Sequence, residues 1–125
     1  MNKEIESIVK EALSDFINLN YSLCFWEQQT KLIILYNKVS CCIVIDDDAL
    51  SIYDLYTEEE FRRLGLASFL FEVIEFLAKK LNRKELFLFC TPDTWQHDWY
   101  IRKGFKYYLE NNDPKGTVWL NKILE

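Results

Sequence analysis

The chain has 125 residues, half of them hydrophobic, 16% aromatic and 28% charged, which excludes disordered and low-complexity classes and fits a single domain, residues 1–125, around an aromatic-rich core. Lys and Arg total 15 against 20 for Asp and Glu, and the net charge of -5 disfavours nucleic acid as a partner and favours cationic ones. Cys24, Cys41, Cys42 and Cys90 have neither zinc-site nor Cys-x-x-Cys spacing, no run is long and apolar enough for a membrane span, and Met1–Glu4 open no hydrophobic leader, so the expectation is a reduced, cytoplasmic protein with no membrane and no metal.

Ile5, Ile8, Val9, Ala12, Leu13, Phe16 and Ile17 recur at helical spacing, which predicts an amphipathic helix ending near Asn18 or Asn20. The period then changes to that of strands. Tyr21 to Glu27, Lys31 to Tyr36 and Cys41 to Ile45 are short aromatic and β-branched runs separated by polar turns, and they read as a meander. Cys41 and Cys42, adjacent on one strand, should point to opposite faces. Asp46-Asp47-Asp48 lacks calcium-loop spacing and reads as a solvated turn.

A fourth strand runs from Leu50 to Thr57. Beyond Gly65, the stripe Leu66, Phe69, Leu70, Val73, Ile74, Leu77 and Leu81 marks a second helix that packs on a sheet. Leu86 to Cys90 is a buried strand ended by Pro92. Asp93 or Thr94 caps a third helix reaching Lys103, and Phe105 to Leu109 and Thr117 to Leu124 are strands joined by the turn-prone Asn111–Gly116. The strand from Leu50, the long helix and the strand from Leu86 form a β-α-β unit with parallel strands. The fold class is therefore a mixed α/β (α+β) sheet of about six or seven strands, mostly antiparallel.

Arg62-Arg63-Leu64-Gly65-Leu66-Ala67 lies between a strand end and a helix start. Unpaired amides and the helix dipole make such a place an anion site, and a glycine there allows close backbone approach. The plain alternative is an ordinary loop with solvated arginines. Leu55 through Ala67, followed by Tyr100-Ile101-Arg102-Lys103-Gly104-Phe105, resembles the GCN5-related N-acetyltransferases. In that family an Arg/Gln-x-x-Gly-x-Gly/Ala loop binds the acetyl-CoA pyrophosphate and a Tyr-x-x-x-Gly-Phe segment follows the next strand. The resemblance covers about Leu50 to Leu124 and implies the family's sheet, with the β-α-β unit as its acyl-CoA-binding centre.

It also implies roles. Arg62, Arg63, Leu64, Gly65, Leu66, Ala67 and Ser68 would hold the pyrophosphate, with Asp93 standing where many members have Asn. The backbone of Leu55, Tyr56 and Thr57 would pair with the pantetheine arm, and Tyr100 would protonate the departing thiolate. A packing aromatic is the alternative for Tyr100. No general base is evident, since Leu88 stands where some members place Glu. Asp54 is the candidate, against a solvent-facing strand carboxylate. Tyr53 and Tyr56 are further candidates for acceptor contact. His97 reads as a surface residue, and Trp26, Trp95, Trp99 and Trp119 as core or a lip of the acceptor cleft.

The expected activity is N-acetyl transfer from acetyl-CoA to a primary amine, on a small cationic molecule or on a peptide or protein, by direct attack. The alternative is a CoA-binding or protein-interaction module that keeps the fold without the chemistry, as the short N-terminal part and the missing base suggest. A homodimer is compatible with either.

Overall fold

The computed structural model describes residues 3–58, 60, 65–108 and 116–124. It opens with α1 (Lys3–Leu13), followed by the meander β1 (Leu19–Trp26), β2 (Gln29–Tyr36), β3 (Val39–Ile45) and β4 (Ala49–Thr57). The turns are short because their residues accept left-handed backbone. Glu27 and Gln28 have φ of 51° and 63°, the pair of values a two-residue hairpin needs, and Asn37 has φ 52°.

Next come α2 (Leu66–Lys80), β5 (Glu85–Cys90), α3 (Trp95–Arg102), β6 (Lys106–Tyr107) and β7 (Val118–Ile123). The seven strands form one sheet in the order β1-β2-β3-β4-β5-β7-β6. Only β4 and β5 are parallel among the described pairs, as the β-α-β reading requires.

The pleat sorts the side chains. Ile43, Leu50, Ile52, Leu86, Leu88 and Leu120 turn to one face and are buried against Leu70, Val73, Ile74 and Leu77 of α2 and Val9 and Leu13 of α1. Cys41 is on this face and buried, while Cys42 is only half-buried on the other. The opposite face carries Ile33, Leu35, Tyr53, Phe87, Phe89 and Trp119, which alternate with the buried set.

Two predicted boundaries move. The first helix stops at Leu13 rather than near Asn18, and Ile17 is 82% exposed instead of joining the apolar stripe. Asn18 adopts φ 65° and its carbonyl accepts the Asn37 amide, which ties this stretch to the sheet. The strand expected from Phe105 to Leu109 keeps only Lys106–Tyr107 among described residues, because Phe105 is drawn into the core at 1% exposure. Leu109 and most of the Asn111–Gly116 turn lie outside the described residues.

Candidate active site

The two parallel strands pair for a short distance. Ala49 meets Glu85, Leu50 meets Leu86 and Ser51 meets Phe87; beyond that, among the described residues, β5 no longer pairs with β4. A β-bulge accompanies the separation. Ser40 of β3 opposes Tyr56 and Cys42 opposes Tyr53, so Asp54 and Leu55 share the place of one residue. Asp54 absorbs the irregularity at φ 54°, a conformation that Asp tolerates better than most side chains. The splay leaves a cleft of about 210 Å³ lined by Ile52, Tyr53, Asp54 and Leu55 on one side, Leu88 and Phe89 on the other, and Tyr100 of α3.

Tyr100 is fixed by rings. It packs against Phe71 of α2 at 6.1 Å, Phe105 at 6.1 Å and Trp99 at 5.4 Å between centroids. Burial, reinforced by the neighbouring Cys90 and Cys41 thiols, pushes its phenol up to about 12. Such a group holds its proton throughout the neutral range. Asp54 is the one carboxylate among the described lining residues; Leu88 supplies no base.

The start of α2 is open. Gly65 is its N-cap at φ 79°, no side chain caps the helix, and the first turn holds no acidic residue. Among the described residues, a Cβ at Gly65 would meet nothing within 4 Å. Gly65 and the Leu66, Ala67 and Ser68 amides fit a bound anion. Arg62, Arg63 and Leu64 lie outside the described residues.

Of the other candidates, Leu55 lines the cleft, whereas Tyr56 and Thr57 pair with Ser40 and Val39 of β3. Asp93, at φ 60°, is not among the cleft-lining residues; Thr94, not Asp93, caps α3 by accepting the His97 amide at 3.2 Å. Tyr53 reaches the cleft and Tyr56 is exposed. Trp26 and Trp95 are exposed rather than in the core, while Trp99 packs on Phe71 and Trp119 on Phe89.

His97 is a correction. It is 8% exposed, with Nε2 2.6 Å from the Tyr107 hydroxyl and Nδ1 3.4 Å from Asp98 Oδ1, and so pins α3 to β6. A polar pair ten positions apart leaves no periodic trace. The bulge, also missed, did leave a signal: the apolar alternation Leu50, Ile52 slips by one place before resuming at Leu55.

Many solved structures share this fold, three acetyltransferases among them. A GNAT family acetyltransferase from Elizabethkingia anophelis, crystallised with acetyl-CoA bound, aligns at TM-score 0.62 and 15% identity over 87% of this chain and 100% of its own. The ribosomal-protein-S18-alanine N-acetyltransferase from Escherichia coli aligns at 0.63 and 14% identity over 80% and 72%. An acetyltransferase from Streptococcus agalactiae aligns at 0.63 and 17% over 99% and 79%. No curated protein matches the chain. The acetyltransferase (GNAT) domain family matches residues 21–107, from within β1 through β6, and with the splayed β4/β5 pair and the open α2 start lying inside that span, the chain belongs to the GNAT acetyltransferases.

Proposed function

We propose that the chain transfers the acetyl group of acetyl-CoA to a primary amine by direct attack. The observation that carries this reading is the gap between β4 and β5 beyond Ser51, with Tyr100 on one wall and Asp54 on the other. The diphosphate is held by the loop at the start of α2, Arg62 through Ser68, with Gly65 leaving room for it. The pantetheine arm lies along Leu55, Tyr56 and Thr57, on the edge of β4 that β5 has left. The thioester carbon then comes to rest between Leu55 and Leu88.

Asp54 attracts the acceptor as an ammonium and takes up its proton. The free amine forms the N–C bond as the C–S bond breaks, and Tyr100 hands its proton to the leaving sulfur. Holding both reactants in one cleft supplies much of the rate. A charge of -5 suits an acceptor that arrives as a cation, either a small molecule or a peptide or protein amine. We place the protein in the cytoplasm on its four free cysteines.

The experiment is free-thiol release from acetyl-CoA against a panel of amines, with calorimetry of acetyl-CoA alongside. Turnover with at least one amine is expected. Tight binding with no turnover on any amine favours the CoA-binding module instead, and no binding defeats both.

A further inference from the structure

The cleft is lined by residues from both faces of the sheet. Ile52 and Leu88 belong to the helix-covered face, where Tyr100 packs on Phe71, and the open start of α2 is on that same side. Tyr53 and Phe89 alternate with them and stand on the opposite face. There Phe89 meets Trp119, its direct partner across the β5/β7 ladder, at 5.1 Å, and presents an edge to Tyr53 at 5.7 Å. One pleat away Phe87 meets Tyr108 at 5.1 Å. The rings make a floor continuous with the mouth of the cleft.

This floor is not finished packing. Phe89 is 44% exposed although it borders the proposed reacting centre, so much of its apolar surface is left for something to cover. Among the described residues, two carboxylates border the floor. Asp54 is on the cleft wall, and Glu85, one pleat before Phe87, is held in place by Asn121 Nδ2 at 2.7 Å. Among the described residues, Lys31 of β2 and Lys106 of β6 stand on the floor's flanking strands, and Lys122 of β7 turns to the helix side to pair with Glu75 at 2.7 Å.

We infer that this floor is the acceptor subsite and that it selects a primary amine carried on an aromatic ring over a polyamine of distributed charge. The inference rests on the acetyl-transfer reading. An ammonium beside Asp54 leaves its ring over Phe89 and Trp119, where offset or edge-on stacking is available. A polyamine gains cation–π attraction and the pull of these carboxylates for its further ammonium groups. Each must still give up hydration, and the flexible chain its freedom, to lie over the same rings, which a singly charged aryl amine avoids.

The test compares phenylethylamine with spermidine as acceptors for the native chain and for Trp119→Leu, which removes a ring and keeps an apolar side chain. The native chain should favour phenylethylamine in kcat/KM by about tenfold or more, equivalent to about 1.4 kcal/mol. In the variant that ratio should collapse, chiefly through KM, while the Kd for acetyl-CoA stays near native. Trp119→Met provides the same contrast if circular dichroism shows that Trp119→Leu has lost the fold. A native preference for spermidine, or equal losses on both amines, overturns the inference. If acetyl-CoA binds but neither amine is acetylated, titration of phenylethylamine decides. A shifted Trp119 indole resonance sustains the subsite even though the catalytic reading has failed, and an unmoved one refutes it.

Discussion

Tyr53 of β4 and Phe89 of β5 touch ring to ring at 5.7 Å, although the last backbone rung between their strands is Ser51 with Phe87, one pleat earlier. A side-chain contact thus takes over where the ladder stops. The rings meet on one face while β4 and β5 share no further backbone rung among the described residues. Asp54 sets the angle of departure, because the bulge it forms with Leu55 re-aims β4 just past the last rung.

That role separates two effects of changing Asp54. Asp54→Asn keeps a residue that accepts φ 54°, so the denaturation midpoint should stay near native while amine acetylation falls by about tenfold or more as the carboxylate is lost. Asp54→Val keeps no such tolerance and should lower stability by about 1–2 kcal/mol. Native turnover in the Asn variant would remove Asp54 from the chemistry and leave it a purely structural residue.

Gly65→Val should weaken acetyl-CoA by about tenfold or more, because the new side chain takes up room in the loop proposed to hold the diphosphate. The same change forces a β-branched residue to φ 79°, at a further cost of about 1–2 kcal/mol in folding stability. Calorimetry on folded protein reads the first effect and urea unfolding the second. Unaltered affinity would mean that the phosphates sit elsewhere.

Tyr100→Phe keeps the ring that packs on Phe71, Trp99 and Phe105 and deletes only the hydroxyl. The fold and the Kd for acetyl-CoA should remain near native, with kcat reduced by about a hundredfold, the lower end of what a positioned proton donor contributes. Because the phenol is pushed up to about 12, its ionisation should not limit the native pH–rate profile anywhere below about pH 11. A descending limb near pH 9 that vanishes in Tyr100→Phe would contradict that assignment.

Much of the fold around this site was legible in the chain itself, for a physical reason. Strands that bury one face must alternate, and Leu50 and Ile52 do; a helix covering a sheet must keep a wide stripe, and Leu66 through Leu77 does. The β-α-β unit and the exposed glycine before it follow from those periods plus local backbone chemistry. Features built from distant partners were not legible. His97 looked like a solvated residue on a polar helix until Tyr107 arrived from β6 to bond it, and Ile17 looked like core until Asn18 turned the chain into the sheet. The helix period ran on through Phe16 and Ile17 because hydrophobic spacing records which residues prefer burial and not whether the backbone stays helical to deliver them.

Burial of ionisable groups beside the cleft also fixes how stability changes in alkali. The Cys41 thiol, 3% exposed, is pushed by burial and by Cys42 from 9.0 up to about 12, and Tyr100 moves from 10.0 to about the same value. Below pH 9 both groups keep their protons in the folded and unfolded chain alike, so stability there is flat with respect to them. Between pH 9 and 12 the unfolded chain sheds the Cys41 proton while the folded chain retains it; from pH 10 the same holds for Tyr100. The unfolded state therefore binds fewer protons, and stability falls as pH rises, by about 1.4 kcal/mol per pH unit for each group at most. Cys42 and Cys90, raised by their own burial, add to the fall in the same direction. Urea unfolding at pH 7, 9, 10 and 11 should show a decline that begins near pH 9 and steepens above 10. Cys41→Ala should start from lower stability at pH 7, because it leaves a small cavity, yet lose less between pH 9 and 11 than the native chain. Parallel slopes for the two proteins would mean that the Cys41 thiol ionises as freely in the folded chain as in the unfolded one, and that water reaches the helix-side wall beneath the cleft.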